Sequence, residues 1–293
     1  MYKPDITIIT PSYNQGKYIR RTIDSVLKQN INNIEYLIFD GGSTDDTVDI
    51  LKSYGDRVKW ASVKDKGQSD AVNKGLVNAA GDVIGWLNSD DIYYEGALKT
   101  VIDFFGTNPE IKAVYGLADH IDENDQYLED YYTEEWDYQR LQEVCYICQP
   151  TVFFKREIVD ECGLLDERLN YCMDYEYWLR IGRHYPFQFI NQKLAGSRLY
   201  CENKTLGNRV AVHQEIVIMQ KNLLGRANPR WIYNLAHVLA EEKGLDRNHP
   251  GMRREFVIDV VKQSIFNFFK YNYCVPVKEI KTIAGWLKRA YDS

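Results

Sequence analysis

Three short apolar runs, each stopping abruptly at polar residues, constrain this chain more than any other feature. Ile6-Thr7-Ile8-Ile9-Thr10 ends at Pro11, Tyr36-Leu37-Ile38-Phe39 ends at Asp40, and Val83-Ile84-Gly85-Trp86-Leu87 ends at Asn88-Ser89-Asp90-Asp91. Runs of this length, rich in β-branched and aromatic residues, read as strands. Val58-Lys59-Trp60-Ala61 supplies a further one. Helical patterns lie between them: Ile19, Ile23, Val26 and Leu27 recur at helical spacing, Ser43-Thr44-Asp45-Asp46-Thr47 is a helix start, and residues 67–80 carry Ala71, Leu76 and Ala79. Strand and helix in alternation predict an α/β fold with a mostly parallel sheet and right-handed crossovers. Ligands of such sheets gather at the carboxyl ends of the strands. Pro11 to Tyr13, Asp40, and Asp90 with Asp91 are therefore expected along one edge.

Two adjacent carboxylates at the end of a buried strand suit a hard divalent cation, Mg2+ or Mn2+, and the cation in turn suits a diphosphate. Asp91 reads equally as the cap of a helix beginning near Tyr94, and Asp40 as a turn residue ahead of Gly41. Asp65 and Lys66 precede a glycine and a helix N-terminus, where an anion or a polar base edge is favoured. Asp174 lies near the start of a helix marked by Met173, Tyr177, Trp178 and Ile181, where the helix dipole favours a carboxylate. Glu176 lies about 200° further round that helix, so the two cannot face one pocket equally. Residues 149–154, from Gln149-Pro150 to Phe153-Phe154, read as a strand.

The chain of 293 residues is long enough for one large domain and an appendage. We expect an α/β domain over 1–206 and an α-helical region over 207–293, with helices at 209–224, 231–243, 255–270 and 278–291. Residues 253–293 hold eight Lys and Arg against four Asp and Glu. With Ile265, Phe266, Phe268, Phe269 and Trp286 this tail could lie on an anionic membrane, pack inward, or support a homodimer. The net charge of −6 excludes a general nucleic-acid binder. Six cysteines spread along the chain suggest reduced thiols, and Cys145-Tyr146-Ile147-Cys148 lacks the second ligand pair of a zinc site. No run approaches 18 apolar residues and no apolar signal stretch opens the sequence, so a cytosolic protein is expected, with peripheral contact at the inner membrane face open to it.

Five motifs in order, TPSYNQGKYIRRTIDSVLKQ at 10–29, DGGSTDDT at 40–47, DKGQSDAVNKG at 65–75, WLNSDD at 86–91 and MDYEYWLR at 173–180, resemble those of a family-2 glycosyltransferase with the GT-A fold. The resemblance covers roughly residues 4–205. It implies an inverting transferase that takes a sugar from a nucleotide-diphosphate donor, a UDP-sugar, and passes it to a glycan or lipid-linked acceptor. Thr10, Pro11 and Tyr13 would offer backbone and an aromatic face to the base. The resemblance places Asp40 on the uracil ring, and Asp65 with Lys66 near the nucleotide. It gives Asp91 the metal, and Asp90 the ribose or the metal's surroundings. Asp174 matches the catalytic base, with Glu176 the lesser candidate, while Gln149 and Pro150 line the acceptor cleft. Many relatives carry Arg-x-His after the base; here Ser197-Arg198-Leu199-Tyr200 puts Tyr200, a poor metal ligand, where the metal-binding His would stand, so that either the metal keeps extra water or Asn203 or Lys204 contacts the diphosphate, and strict metal dependence is not implied. A nucleotidyltransferase would need a basic, Gly-rich loop after the first strand, and Pro11 to Gly16 is neither. A non-catalytic nucleotide-sugar sensor is the alternative of another class.

Overall fold

A computed structural model describes residues 3–200, 206–249 and 251–292. Asn203 and Lys204 lie outside them. The expected alternation runs through β1 (Ile6–Ser12), α1 (Ile19–Leu27), β2 (Ile34–Asp40), α2 (Thr47–Ser53), β3 (Lys59–Ser62), α3 (Gln68–Asn78) and β4 (Val83–Trp86). All contacts among these four strands are parallel, in the order β3-β2-β1-β4. Ile6, Ile8, Ile9 and Ile38 are wholly buried, and each such side chain contributes about 1.5–3 kcal/mol on leaving water. Helix α1 buries Ile19, Thr22, Ile23 and Val26, one stripe of its surface. Helix α3 lies so close to β1 that a Cβ on Gly75 would come within 2.3 Å of Ile9 Cγ2.

Beyond β4 the sheet becomes mixed. The chain continues through β5 (Ile92–Tyr93), α4 (Ala97–Thr107), β6 (Ala113–Ile121), β7 (Tyr127–Asp130), α5 (Tyr138–Glu143), β8 (Phe153–Lys155), α6 (Glu157–Cys162), α7 (Met173–Gly182) and β9 (Phe187–Arg198). The order extends as β4-β8-β6-β9-β5, with β8 antiparallel to both neighbours, β5 antiparallel to β9, and β7 forming a hairpin with β6. Two expectations are corrected. Residues 149–154 are not one strand: Gln149–Thr151 is a 3-10 turn, with Pro150 in its first positions, and only Phe153 onward joins the sheet. Asp91 does not cap a helix, because α4 starts after Gly96 and the residues following Asp91 form β5.

The chain divides into two compact units, Met1–Leu141 with Cys145–Tyr200, and Gln142–Val144 with Cys201–Ser293. The second holds α8 (Arg209–Leu224), α9 (Pro229–Glu242), α10 (Arg253–Asn267) and α11 (Val277–Asp292), with a π-helical turn at Phe268–Asn272. Ala236, Ala240, Phe256 and Val260 form its core, with Leu245 and Trp286 packed on it. Among the described residues no helix is long and apolar enough to cross a membrane. Cys145, Cys148, Cys162 and Cys274 are free thiols, of which Cys274 is exposed.

Candidate active site

The parallel register sets the strand ends side by side: Ser12 lies opposite Asp40, Asp40 opposite Ser62, and Ile9 opposite Trp86. Hydrogen bonds then knit the loops that leave these ends. The Asn14 amide donates to Ser43 Oγ (2.7 Å), the Thr44 amide to Asn14 Oδ1 (2.9 Å) and the Gly16 amide to Asp45 Oδ2 (2.9 Å). Asp40, 2% exposed, accepts from the amides of Gly42 and Ser43 and from the hydroxyls of Ser43 and Ser62. Its carboxylate shapes the loop, as the turn reading of Asp40 expects. Asp65 accepts from the Gly67 amide (2.9 Å) and presses on Gly41, where a Cβ would meet Asp65 Oδ2 at 2.9 Å. A side chain at position 41 would therefore displace it.

Thr10 and Pro11 are buried inside the sheet, and Thr10 Oγ1 lies 3.1 Å from Tyr36 Oη in the core. Of the three residues expected near a base, Tyr13 alone presents its ring outward, at 60% exposure. Lys66 is exposed and pairs with Glu167 at 3.2 Å, a surface contact of small energetic weight.

The turn Asn88–Asp91 is held from three sides. Thr22 Oγ1, on α1, donates to the carbonyls of Ser89 (2.9 Å) and Asp91 (2.8 Å). Asn88 is a hub: its Oδ1 accepts from Trp86 Nε1 and Gln68 Nε2, and its Nδ2 donates to Gln149 Oε1 (2.9 Å) and reaches Asp91 Oδ2 (3.4 Å). Gln149 returns its own amide to the Trp86 carbonyl at 2.6 Å. Gln149 and Pro150 are thus buried supports of the turn and do not form an open strand edge.

Arg198 closes the third side. Its side chain is fully buried, with Nε donating to the Asp90 carbonyl (2.7 Å), Nη1 to the Asp122 carbonyl (2.6 Å) and Nη2 paired with Asp125 at 2.5 Å. The guanidinium lies over the Tyr18 ring, 4.9 Å from its centroid. The Arg198 backbone amide donates to Asp91 Oδ1 at 2.9 Å. Tyr200 Oη donates to Asp90 Oδ2 at 2.8 Å, so Tyr200 braces the carboxylate.

Among the described residues neither Asp90 nor Asp91 makes an ion pair with a side chain. Burial pushes the Asp91 carboxyl well above the usual carboxylate range and the charge of Asp90 pushes it further, against the pull of Arg198 and Asn88. Burial also raises Asp90, opposed by the Tyr200 hydroxyl. A buried carboxylate with a second, half-buried one beside it is costly without a cation. No cluster of three or more His, Cys, Asp or Glu among the described residues could hold a metal by itself. The pair fits instead a cation that takes its other ligands from diphosphate oxygens and water, as Mg2+ commonly does.

Asp174 is partly exposed in the first turn of α7. Burial pushes the Cys148 thiol and the Tyr131 hydroxyl up, and the charges of Asp91 and Asp174 add to the rise of both. Glu176 is directed elsewhere. It is buried, grips Arg180 through both oxygens (2.9 and 2.8 Å), and Arg180 in turn donates to the Cys162 and Leu164 carbonyls. That pairing ties α7 to the loop before it and leaves both Glu176 oxygens engaged by Arg180. Thr22, Gln68, Asn88 and Arg198 were not singled out from the sequence. Thr22, Gln68 and Asn88 lie inside the quoted motifs and Arg198 inside Ser197-Arg198-Leu199-Tyr200, but none of the four was given a role of its own.

The sequence matches the model of Glycosyl transferase family 2 over residues 7–163. An uncharacterized glycosyltransferase of Rickettsia prowazekii is 31% identical over 219 residues, 70% of this chain and 67% of that protein. Three further Rickettsia glycosyltransferases are matched over only 32–37% of their length. In fold, the chain is similar to S. aureus TarS 1–349 in complex with UDP-GlcNAc (TM-score 0.58, 16% identity, 89% of this chain and 81% of that one). It is also similar to the mannosyltransferase PcManGT from Pyrobaculum calidifontis in complex with GDP-Man and Mn2+ (TM-score 0.59, 15% identity, 92% and 88%).

Proposed function

The chain belongs to glycosyltransferase family 2, and from that premise we propose that it transfers a sugar from a UDP-sugar to a hydroxyl of a glycan or lipid-linked saccharide, with inversion at the anomeric carbon. The observation that carries this reading is the buried Asp91 with the half-buried Asp90 beside it, neither with an ion-pair partner among the described residues, at the carboxyl edge of the sheet. Perturbed carboxylates in such a place mark functional sites. Asp91, with Asp90 beside it, would hold Mn2+ or Mg2+ against the donor diphosphate. A cation there neutralises the charge that gathers on the leaving diphosphate.

The chain's own residues supply the rest. Tyr13 offers its ring to the base, and Asp65 with Lys66 borders the nucleotide. Asp174, in the first turn of α7, takes the proton of the acceptor hydroxyl as that oxygen attacks the anomeric carbon from the face opposite the diphosphate. One displacement of this kind inverts the centre. Gln149 and Pro150 form the floor beneath the acceptor side, acting through Asn88. The choice of uracil is supported by the likeness to TarS, whose structure holds UDP-GlcNAc, whereas PcManGT holds GDP-Man.

Thermal unfolding with UDP, GDP, CDP or dTDP, each with and without Mn2+, tests the donor. A ligand at about 100 times its Kd adds roughly 2.7 kcal/mol. A shift for UDP that grows with Mn2+ is expected; a larger shift for GDP would overturn the uracil assignment, and a UDP shift indifferent to Mn2+ the metal. Product NMR should show an inverted anomer, and Asp174→Ala retaining full activity would remove the proposed base.

A further inference from the structure

The C-terminal unit carries a surface that its own core leaves uncovered. Phe268 and Tyr271, inside the π-helical turn, are buried, while Phe266 (60% exposed), Phe269 (57%) and Tyr273 (73%) point out along one stripe of α10 and its extension. Val277 and Ile280 continue the apolar surface onto the start of α11 at 72% and 53% exposure. The backbone is strained to present it. Tyr273 sits at φ +64°, a left-handed conformation that an aromatic residue seldom adopts. Residues 260–281 contain four lysines, Lys262, Lys270, Lys278 and Lys281, all exposed, and a single carboxylate, Glu279. Glu279 accepts from Tyr233 Oη at 2.6 Å, so the charge displayed beside the aromatics is positive.

We propose that this face docks the protein on an anionic phospholipid bilayer, with Phe266, Phe269 and Tyr273 entering the interface and the four lysines meeting headgroup phosphates. Aromatic and aliphatic side chains flanked by lysines are the composition that lies in a membrane interface. A second copy of the chain fits poorly, because a two-fold contact would set the same lysines against one another. The inference rests on this unit alone and does not depend on which sugar donor the other unit binds.

Flotation of the full chain with vesicles of phosphatidylcholine and phosphatidylglycerol, against phosphatidylcholine alone, tests it. Binding should require phosphatidylglycerol and weaken as NaCl rises from about 0.1 to about 0.5 M. Each Lys→Glu change at positions 262, 270 and 278 should lower partition by at least about fivefold, and Phe266→Ser with Phe269→Ser by at least about tenfold. The UDP-induced thermal shift of the Phe266→Ser, Phe269→Ser protein should be unchanged, which separates failure of docking from failure of the donor site. Folded wild-type protein that ignores phosphatidylglycerol vesicles would overturn the proposal. So would a wild-type dimer that the two Phe substitutions convert to a monomer in the absence of lipid, since the face would then be covered by a second copy.

Discussion

Glu35 and Asp91 are both acidic and both nearly inaccessible (7% and 5% exposed), yet they flank the parallel half of one sheet at opposite ends, Glu35 near the start of β2 and Asp91 in the turn that follows β4. At the amino edge Glu35 accepts from Thr7 Oγ1, the Ala80 amide and Lys59 Nζ, each at 2.8 Å. Burial pushes its carboxyl up, but Lys59, the Ala80 amide and Thr7 reverse this, and it titrates below its ordinary value. At the carboxyl edge Asp91 has one backbone amide, a long contact to Asn88 and a like charge beside it, and it titrates well above the ordinary range. One carboxylate is satisfied by the protein and stabilises the fold. The other is left in deficit, and a ligand can make up the difference.

Substitution should separate the two. Asp91→Asn is expected to lower transfer activity by about a thousandfold and to abolish the Mn2+-dependent part of the UDP shift. It should leave Tm unchanged or raised, because a buried, repelled charge is removed. A large loss of Tm in Asp91→Asn would mean that this carboxylate is structural too, and the contrast would collapse. Glu35→Ala should do the reverse, costing about 2 kcal/mol by stranding three donors, or roughly 2–4 °C of Tm per kcal/mol, with turnover per folded molecule unchanged.

A pH series sharpens the same contrast. A depressed folded-state pKa means that Glu35 contributes stability that is fully present above the ordinary value of 4.5 and is lost as pH falls through the lower folded value. Urea unfolding of wild type and Glu35→Gln should therefore show a gap at pH about 6 that narrows below pH about 4; a constant gap would place the effect in packing. The smallest effect belongs to a carboxylate with no burial at stake. Asp49 pairs with Lys52 at 2.9 Å on the surface of α2, and Asp49→Ala should change stability by under about 0.5 kcal/mol.

The parallel half of the sheet was legible because its signals are local: β-branched runs, helical spacing, and acidic residues where the runs stop. Asp90 and Asp91 stood out for the same reason. Strands β5 and β8, of two and three residues, are too short to carry a period, and their pairing depends on β9 and β6, far off in the sequence. Arg198 carried no assigned role in the sequence because its partners lie at 90–91 and 122–125, whereas Asp40 was legible as a candidate and only its bond to Ser62, from the neighbouring strand, needed the fold. Glu176 is different. Arg180 stands four residues on, the spacing at which a helix pairs opposite charges, so the sequence already held the sign that Glu176 was engaged.

The hydroxyl of Thr22 is shared between two carbonyls of the Asn88–Asp91 turn, and this bears on the rate at which a donor is captured. A turn clamped from α1 is ordered in the free protein, so its conformational entropy is lost when the chain folds and is not lost again with each turnover. Capture should then be set by diffusion and by stripping water from the diphosphate. An enzyme arranged in this way meets a dilute nucleotide sugar with its acidic pair already in place.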